Sequence, residues 1–292
     1  MHRNQIHRSL LPLTLAAALL PFGFATANPA VWAVTGGKNT VYLFGSVHLL
    51  PRGAFEITGE LERAYRRARR VCLEVDIGAL TPEATASITL ARAIDTESHG
   101  LYDLLGASAP RVREAAAAAG FDLSQYEPFE PWFVGMSVSV LALQKHGFDA
   151  EHGVEQVIQQ AAELDGKSGC GLETLDEQLA LLDTMRTEDQ AEFLLQSLEE
   201  SKDVERELNS LFAAWQDGDD GSLIRELDEE FVDYPELAER LIYARNERWA
   251  VQVSTLLEQS DDVLVVVGAL HLAGNRGLPA LLKRRGFKVE RH

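Results

Sequence analysis

Basic residues are scarce in this chain: 27 Lys and Arg stand against 45 Asp and Glu, a net charge of −18 at pH 7. Such a surface repels phosphate backbones and anionic membranes, and the sequence has no basic patch large enough to bind nucleic acid. Excess acid most simply provides a soluble surface, with cationic partners as the alternative. Long apolar runs are also missing. Apart from the stretch Leu10 to Phe24, nothing approaches the roughly 18 to 20 uninterrupted apolar residues of a membrane helix. Several motifs are absent as well: Gly-x-Ser-x-Gly, the Walker loop, the dinucleotide fingerprint and His-Glu-x-x-His. Serine hydrolase, nucleotide-binding and zincin chemistries therefore lack their signatures. There is no short internal repeat and no low-complexity tract.

The N-terminus has the layout of an export signal: Arg3 and Arg8, then the apolar stretch, then Ala25-Thr26-Ala27 as a small-x-small cleavage pattern. Residues 1–27 are thus expected to be a cleaved signal peptide, and the mature protein to be periplasmic or secreted. An uncleaved N-terminal anchor is the alternative. No cysteine lies near the cleavage site, which argues against a lipid-modified terminus. Cys72 and Cys170 are the only two cysteines. An oxidising compartment would allow them to pair, and buried free thiols are equally compatible with their apolar surroundings.

Residues 28–292 read as a single α/β domain. Val31 to Thr35 and Thr40 to Phe44 flank Gly36-Gly37-Lys38-Asn39, a hairpin signal. A helix over 57–69 and a strand over Arg70 to Asp76 follow. Residues 81–165 turn helical, with Thr81-Pro82, Ser108, Gly120 and Pro131 as boundaries, and read as an insertion or cap over the sheet. Ser168 to Glu173 reads as another strand, followed by a capping-box start at Thr174. Residues 187–260 form an acidic helical segment broken by Gly218, Gly221 and Pro235. The chain closes with a strand over 263–268, a helix near 277–285, a stop at Gly286 and a strand over 287–291, the last two strands being expected to run parallel.

Two patterns repeat at strand ends, Gly45-Ser46-Val47-His48 and Gly268-Ala269-Leu270-His271, each after an apolar run. Ligands of α/β folds gather at the carboxyl edge of the sheet, so both histidines can reach one crevice. Glu74 and Glu173 also stand where strands end. Two imidazoles and one or two carboxylates suit a divalent ion such as Zn²⁺, Mn²⁺ or Co²⁺, with a glutamate left over as general base. The competing reading makes each histidine a buried residue bonded to backbone and each glutamate a helix cap. Arg245 and Asn246 interrupt the apolar face of a helix; an arginine reaching the cleft could clamp a carboxylate or stabilise an oxyanion, while a surface ion pair is the simpler alternative. His146, Asp149, Glu151 and His152 are closely spaced but lie in a loop, His99 and His292 look incidental, and Glu155 reads as a helix-dipole partner.

Taken together, Leu43 to His48, Leu73 to Asp76, Gly153-Val154-Glu155, Gly171 to Thr174, Ala244 to Trp249 and Val267 to Gly274 resemble the TraB/GumN family, which is related to the Tiki metalloproteases. The likeness runs in order from about residue 31 to 291. It implies an α/β fold, a central sheet carrying the Gly-x-x-His motifs at strand ends with a large helical insertion. It also implies His48, His271 and Glu74 as metal ligands, with Mn²⁺ or Co²⁺ ahead of Zn²⁺. Glu74, Glu173, Arg245 and Asn246 match further motif positions with catalytic potential. Ala269-Leu270 departs from the smaller or more polar pair common in the second motif, a change in the spacer alone.

The function expected on this footing is an exported metal-dependent hydrolase, a Tiki-like peptidase acting on a peptide or small molecule. Its rate would fall below about pH 6 as imidazoles protonate. The alternative is a non-catalytic protein that binds or sequesters a peptide or small ligand in the same cleft. A different carbonyl or ester hydrolase is a third reading.

Overall fold

The structure, a computed structural model, describes residues 29–97, 99–202, 212–230 and 235–292. The expected signal peptide lies outside them. The described residues form eight strands: β1 Val31–Thr35, β2 Val41–Ser46, β3 Leu50–Pro51, β4 Arg70–Val75, β5 Phe148–Asp149, β6 Ser168–Glu173, β7 Val263–Gly268 and β8 Lys288–Arg291. Six of them build one mixed sheet in the order β6-β4-β7-β2-β1-β8, and β3 pairs with β5 alone. The α/β class expected from the sequence is the fold that forms.

β2, β4, β6 and β7 run parallel, so their carboxyl ends share one edge. The hairpin forms as read, with Gly36 at φ 113°, a value that only glycine adopts without strain. β8 does not lie beside β7. It runs in the same direction but pairs antiparallel with β1 at the far edge, because the helix Leu278–Arg284 carries the chain past β2 and β1.

Alternation along the strands feeds two cores. Tyr42, Phe44, Val71, Leu73, Leu264 and Val266 face one side, covered by helices Gly59–Arg67 and Val154–Leu164 and by Trp215. Val41, Leu43, Cys72, Val263, Val265 and Val267 face the other, covered by helices Ala244–Leu256 and Leu278–Arg284. Both faces being buried explains why these strands read as continuous apolar runs.

Helices Pro82–Ala93, Leu101–Leu105, Ala109–Ala119 and Pro131–Lys145 appear within the expected helical stretch. Three of these four share an apolar core with helix Thr187–Glu200, which arrives from beyond β6. Helix Val154–Leu164, by contrast, packs on the sheet. Gly221 does not break the acidic segment: it sits inside helix Asp220–Glu230. The capping box at Thr174 forms with both of its hydrogen bonds and starts helix Leu175–Asp183. No helix among the described residues is long and apolar enough to cross a membrane.

Candidate functional site

Parallel pairing puts Gly45 opposite Val267 and Ser46 opposite Gly268, so the two Gly-x-x-His segments leave adjacent strands side by side. They also touch: a Cβ on Gly45 would lie 3.0 Å from the Ala269 Cα. The Trp215 indole N–H donates to the Gly45 carbonyl at 2.8 Å and fixes the first segment from behind. On β4, Cys72 faces the core under helix Ala244–Leu256, and Glu74, two residues on, takes the same side. That alternation delivers a carboxylate to the helix carrying Arg245.

Arg245 is 6% exposed and every N–H of its guanidinium is engaged. Nε and Nη2 donate to the two Glu173 oxygens at 3.2 and 2.6 Å, and Nη2 also to Glu74 Oε2 at 2.6 Å. Nη1 donates to the Leu241 carbonyl at 2.8 Å and lies 3.0 Å from His271 Nε2. Leu241 belongs to a π-helical turn, Glu239–Tyr243, directly before the helix; such widened turns recur at functional sites. No guanidinium N–H is left over for a substrate.

His271 is buried, and its hydrogen bonds assign its protons. The Asn246 amide donates to the Arg276 carbonyl at 2.9 Å, which turns Asn246 Oδ1 toward His271 Nδ1 at 2.7 Å. Nδ1 therefore carries the hydrogen and Nε2 accepts from Arg245. Burial brings His271 down to about 3, so the ring is neutral. Burial also pushes the Glu74 carboxyl up, but His271, charged in the acid range where Glu74 titrates, together with Arg245, His48 and the Gly268 amide outweighs it and holds Glu74 at about 2. That amide donates to Glu74 Oε1 at 2.7 Å, and Gln178 donates to Oε2 at 3.0 Å. Burial raises Glu173, offset only in part by Arg245.

His48 differs from His271 in almost every respect. Its side chain is 60% exposed, and Nδ1 lies 2.6 Å from Glu155 Oε1, which also accepts from the Ser46 hydroxyl. Glu155 raises His48 to about 9, against the lowering effect of burial. Solvent at the exposed ring screens part of that attraction. Glycine is required at position 153, because a Cβ there would meet the His48 carbonyl at 2.0 Å, and Val154 N–H donates to the Val47 carbonyl at 3.1 Å. The Gly153-Val154-Glu155 segment is thus the mount for the first histidine. The sequence alone marks Glu155 as a dipole partner, and its glycine-led motif is the one signal of more.

One point summarises the convergence. The position that a Cβ on Gly268 would occupy lies 3.3 Å from Glu74 Oε1, 3.5 Å from His271 Cδ2 and 3.6 Å from His48 Nε2. His48, Glu74, His271, Glu173, Arg245 and Asn246 are all drawn into this one region. The loop candidates are not: Asp149 accepts from the Glu151 amide as a local cap, and His152 sits in the same short turn. His99 pairs with Asp95 on the surface.

The donor types around Gly268, two imidazoles and a carboxylate, suit a divalent ion, but Arg245 already occupies part of that set. The lone pair of His271 Nε2 and one oxygen of Glu74 are taken by Arg245. Among the described residues, no three His, Cys, Asp or Glu side chains are grouped to hold one ion.

Cys72 and Cys170 are register partners in β4 and β6 and form a disulfide, with Cα atoms 4.4 Å apart. The bond staples the two strands whose ends carry Glu74 and Glu173.

Comparison with known proteins gives two results. The TraB/PrgY/gumN family profile matches residues 30–291. The chain is also similar to proteins named "Uncharacterized protein YbaP" from Escherichia coli (strain K12) and Shigella flexneri, each 24% identical over 257 residues, covering 87% of this chain and 92% of the relative. No solved structure matches.

Proposed function

The chain belongs to the TraB/PrgY/gumN family, and from that premise we propose that it is a hydrolase acting on peptides or small carbonyl substrates. The observation that carries this reading is that Glu74 Oε1 and His48 Nε2 flank the bare Cα of Gly268, each within 3.6 Å of where a Cβ would stand. Because Gly268 has no side chain, a water or substrate atom resting against its Cα can approach the carboxylate and the imidazole together. The two groups are driven to opposite ends of the titration range, Glu74 down and His48 up, which is how acid and base roles divide between neighbours.

Glu74 accepts a hydrogen bond from the attacking water and draws off its proton as oxygen bonds to the carbonyl carbon. His48, held by Glu155, delivers a proton to the leaving group as its bond to that carbon breaks. Arg245, Glu173, Asn246 and His271 form the buried frame that orients Glu74. Arg245 already holds His271 Nε2 and Glu74 Oε2, and these steps use the chain's own side chains. We read the signal-like N-terminus as that of an exported protein, periplasmic or secreted, and the Cys72–Cys170 disulfide is in keeping with an oxidising compartment.

The full internal pairing of Arg245 favours one second reading, a protein that binds a peptide or small ligand without turning it over. Incubation with a peptide library and a panel of small esters, followed by mass spectrometry for new termini, separates the cases. Peptide cleavage is expected. Ester cleavage alone would assign a different carbonyl chemistry, and an intact library with a ligand co-purifying would establish the binding reading.

A further inference from the structure

We propose that Arg245 is the resident cation of this centre, and that a divalent ion can bind Glu74 and His271 only by displacing it. The positive charge two buried carboxylates require is already supplied from within the chain. Arg245 Nη2 stands 2.6 Å from both Glu74 Oε2 and Glu173 Oε1, and Nη1 stands 3.0 Å from His271 Nε2. These contacts place one guanidinium against an oxygen of each carboxylate and the open nitrogen of the imidazole, the same atoms a metal would use. Asn246 fixes the His271 tautomer by accepting from Nδ1, so Nε2 is the ring's only available lone pair.

Charge makes the exclusion mutual. Arg248 adds a second guanidinium 3.5 Å from Glu173 Oε2, so the two carboxylates already face two positive groups. A dication beside an unmoved Arg245 would concentrate four positive charges around two negative ones in a buried pocket. Arg245 is held well: its Cζ sits 4.4 Å from the centre of the Trp249 ring, and the Leu241 carbonyl anchors Nη1. Its departure is the step that admits a metal. This inference concerns occupancy of the cluster and does not depend on turnover.

The test is calorimetric titration of Mn²⁺ into the purified full chain and into Arg245→Met. The variant is expected to bind Mn²⁺ at least tenfold more tightly than the wild type. A gain below tenfold, or weaker binding, overturns the proposal. Because Arg245→Met takes the main counter-charge from two buried carboxylates and can fail to fold, a second measurement uses the wild type alone: crystals soaked in Mn²⁺ and examined by anomalous scattering. Either no Mn²⁺ at the cluster with Arg245 in place, or Mn²⁺ present with the guanidinium withdrawn, upholds the competition. Mn²⁺ bound to Glu74 and His271 with Arg245 still bonded to both glutamates overturns it.

Discussion

Replacing Glu155 by Gln removes the negative charge that governs His48 while keeping an oxygen able to accept from Ser46 and from His48 Nδ1. In the wild type that carboxylate lies 2.6 Å from Nδ1 and is the main cause of a His48 pKa near 9, against an ordinary value of 6.5. Without it, burial and Arg245 push down and only Glu74 pushes up, so His48 should titrate well below 9. The His48 side chain is 60% exposed, so solvent screening reduces the pair's contribution to stability to about 1 kcal/mol. A raised histidine pKa stabilises the fold fully below 6.5, and the contribution disappears as pH rises through 9. Wild type and variant should thus differ by about 1 kcal/mol near pH 6 and converge above pH 9. Proton NMR of the His48 ring measures the first quantity and urea unfolding at the two pH values the second. A wild-type His48 titrating near 6.5, or a titration unchanged by Glu155→Gln, would refute the pairing.

Other perturbations probe the frame. Joint replacement of Cys72 and Cys170 by Ala opens a loop with a sequence separation of 98 and should lower unfolding free energy by about 3 to 5 kcal/mol, measured by denaturant titration. Gly153→Ala forces a Cβ against the His48 carbonyl; backbone cannot yield there cheaply, so a loss of about 1 to 3 kcal/mol with displacement of the His48 NMR signals is expected. Glu74 has a depressed pKa, so its contribution is present above about 4.3 and is lost as pH falls through 2. Acid unfolding of the wild type should therefore show a stability loss on the order of 3 kcal/mol over that window that is missing in Glu74→Gln, and identical acid limbs would contradict it.

Much of the sheet was legible because its strands are apolar on both faces and end in glycine motifs. The chain neighbours of Gly45 and Gly268 alone indicated that His48 and His271 leave strand ends. Glu155 was not legible as the partner of His48, because that role depends on Gly153 admitting the His48 carbonyl, a contact across more than a hundred residues. Gln178 carried no signal at all: it lies in the first turns of an ordinary capped helix and reaches Glu74 only through the fold. Arg245 was visible as an interruption in an apolar face, yet its saturation by five contacts needs the register of β4 and β6 as well as the π turn before it. The pH expectation shifts for the same reason. Isolated imidazoles predict a fall below pH 6, whereas Glu155 keeps His48 charged well above neutrality. The placement of β8 escaped the sequence because local crossover rules do not say how many strands the connecting helix passes.

The most direct measurement is kcat/KM for a cleaved peptide, wild type against His48→Ala. Among the described residues the half-exposed His48 ring hydrogen-bonds to Glu155, so its removal should leave the fold intact and lower kcat/KM at least ~100-fold. Equal values for the two proteins would show that hydrolysis occurs elsewhere on the chain.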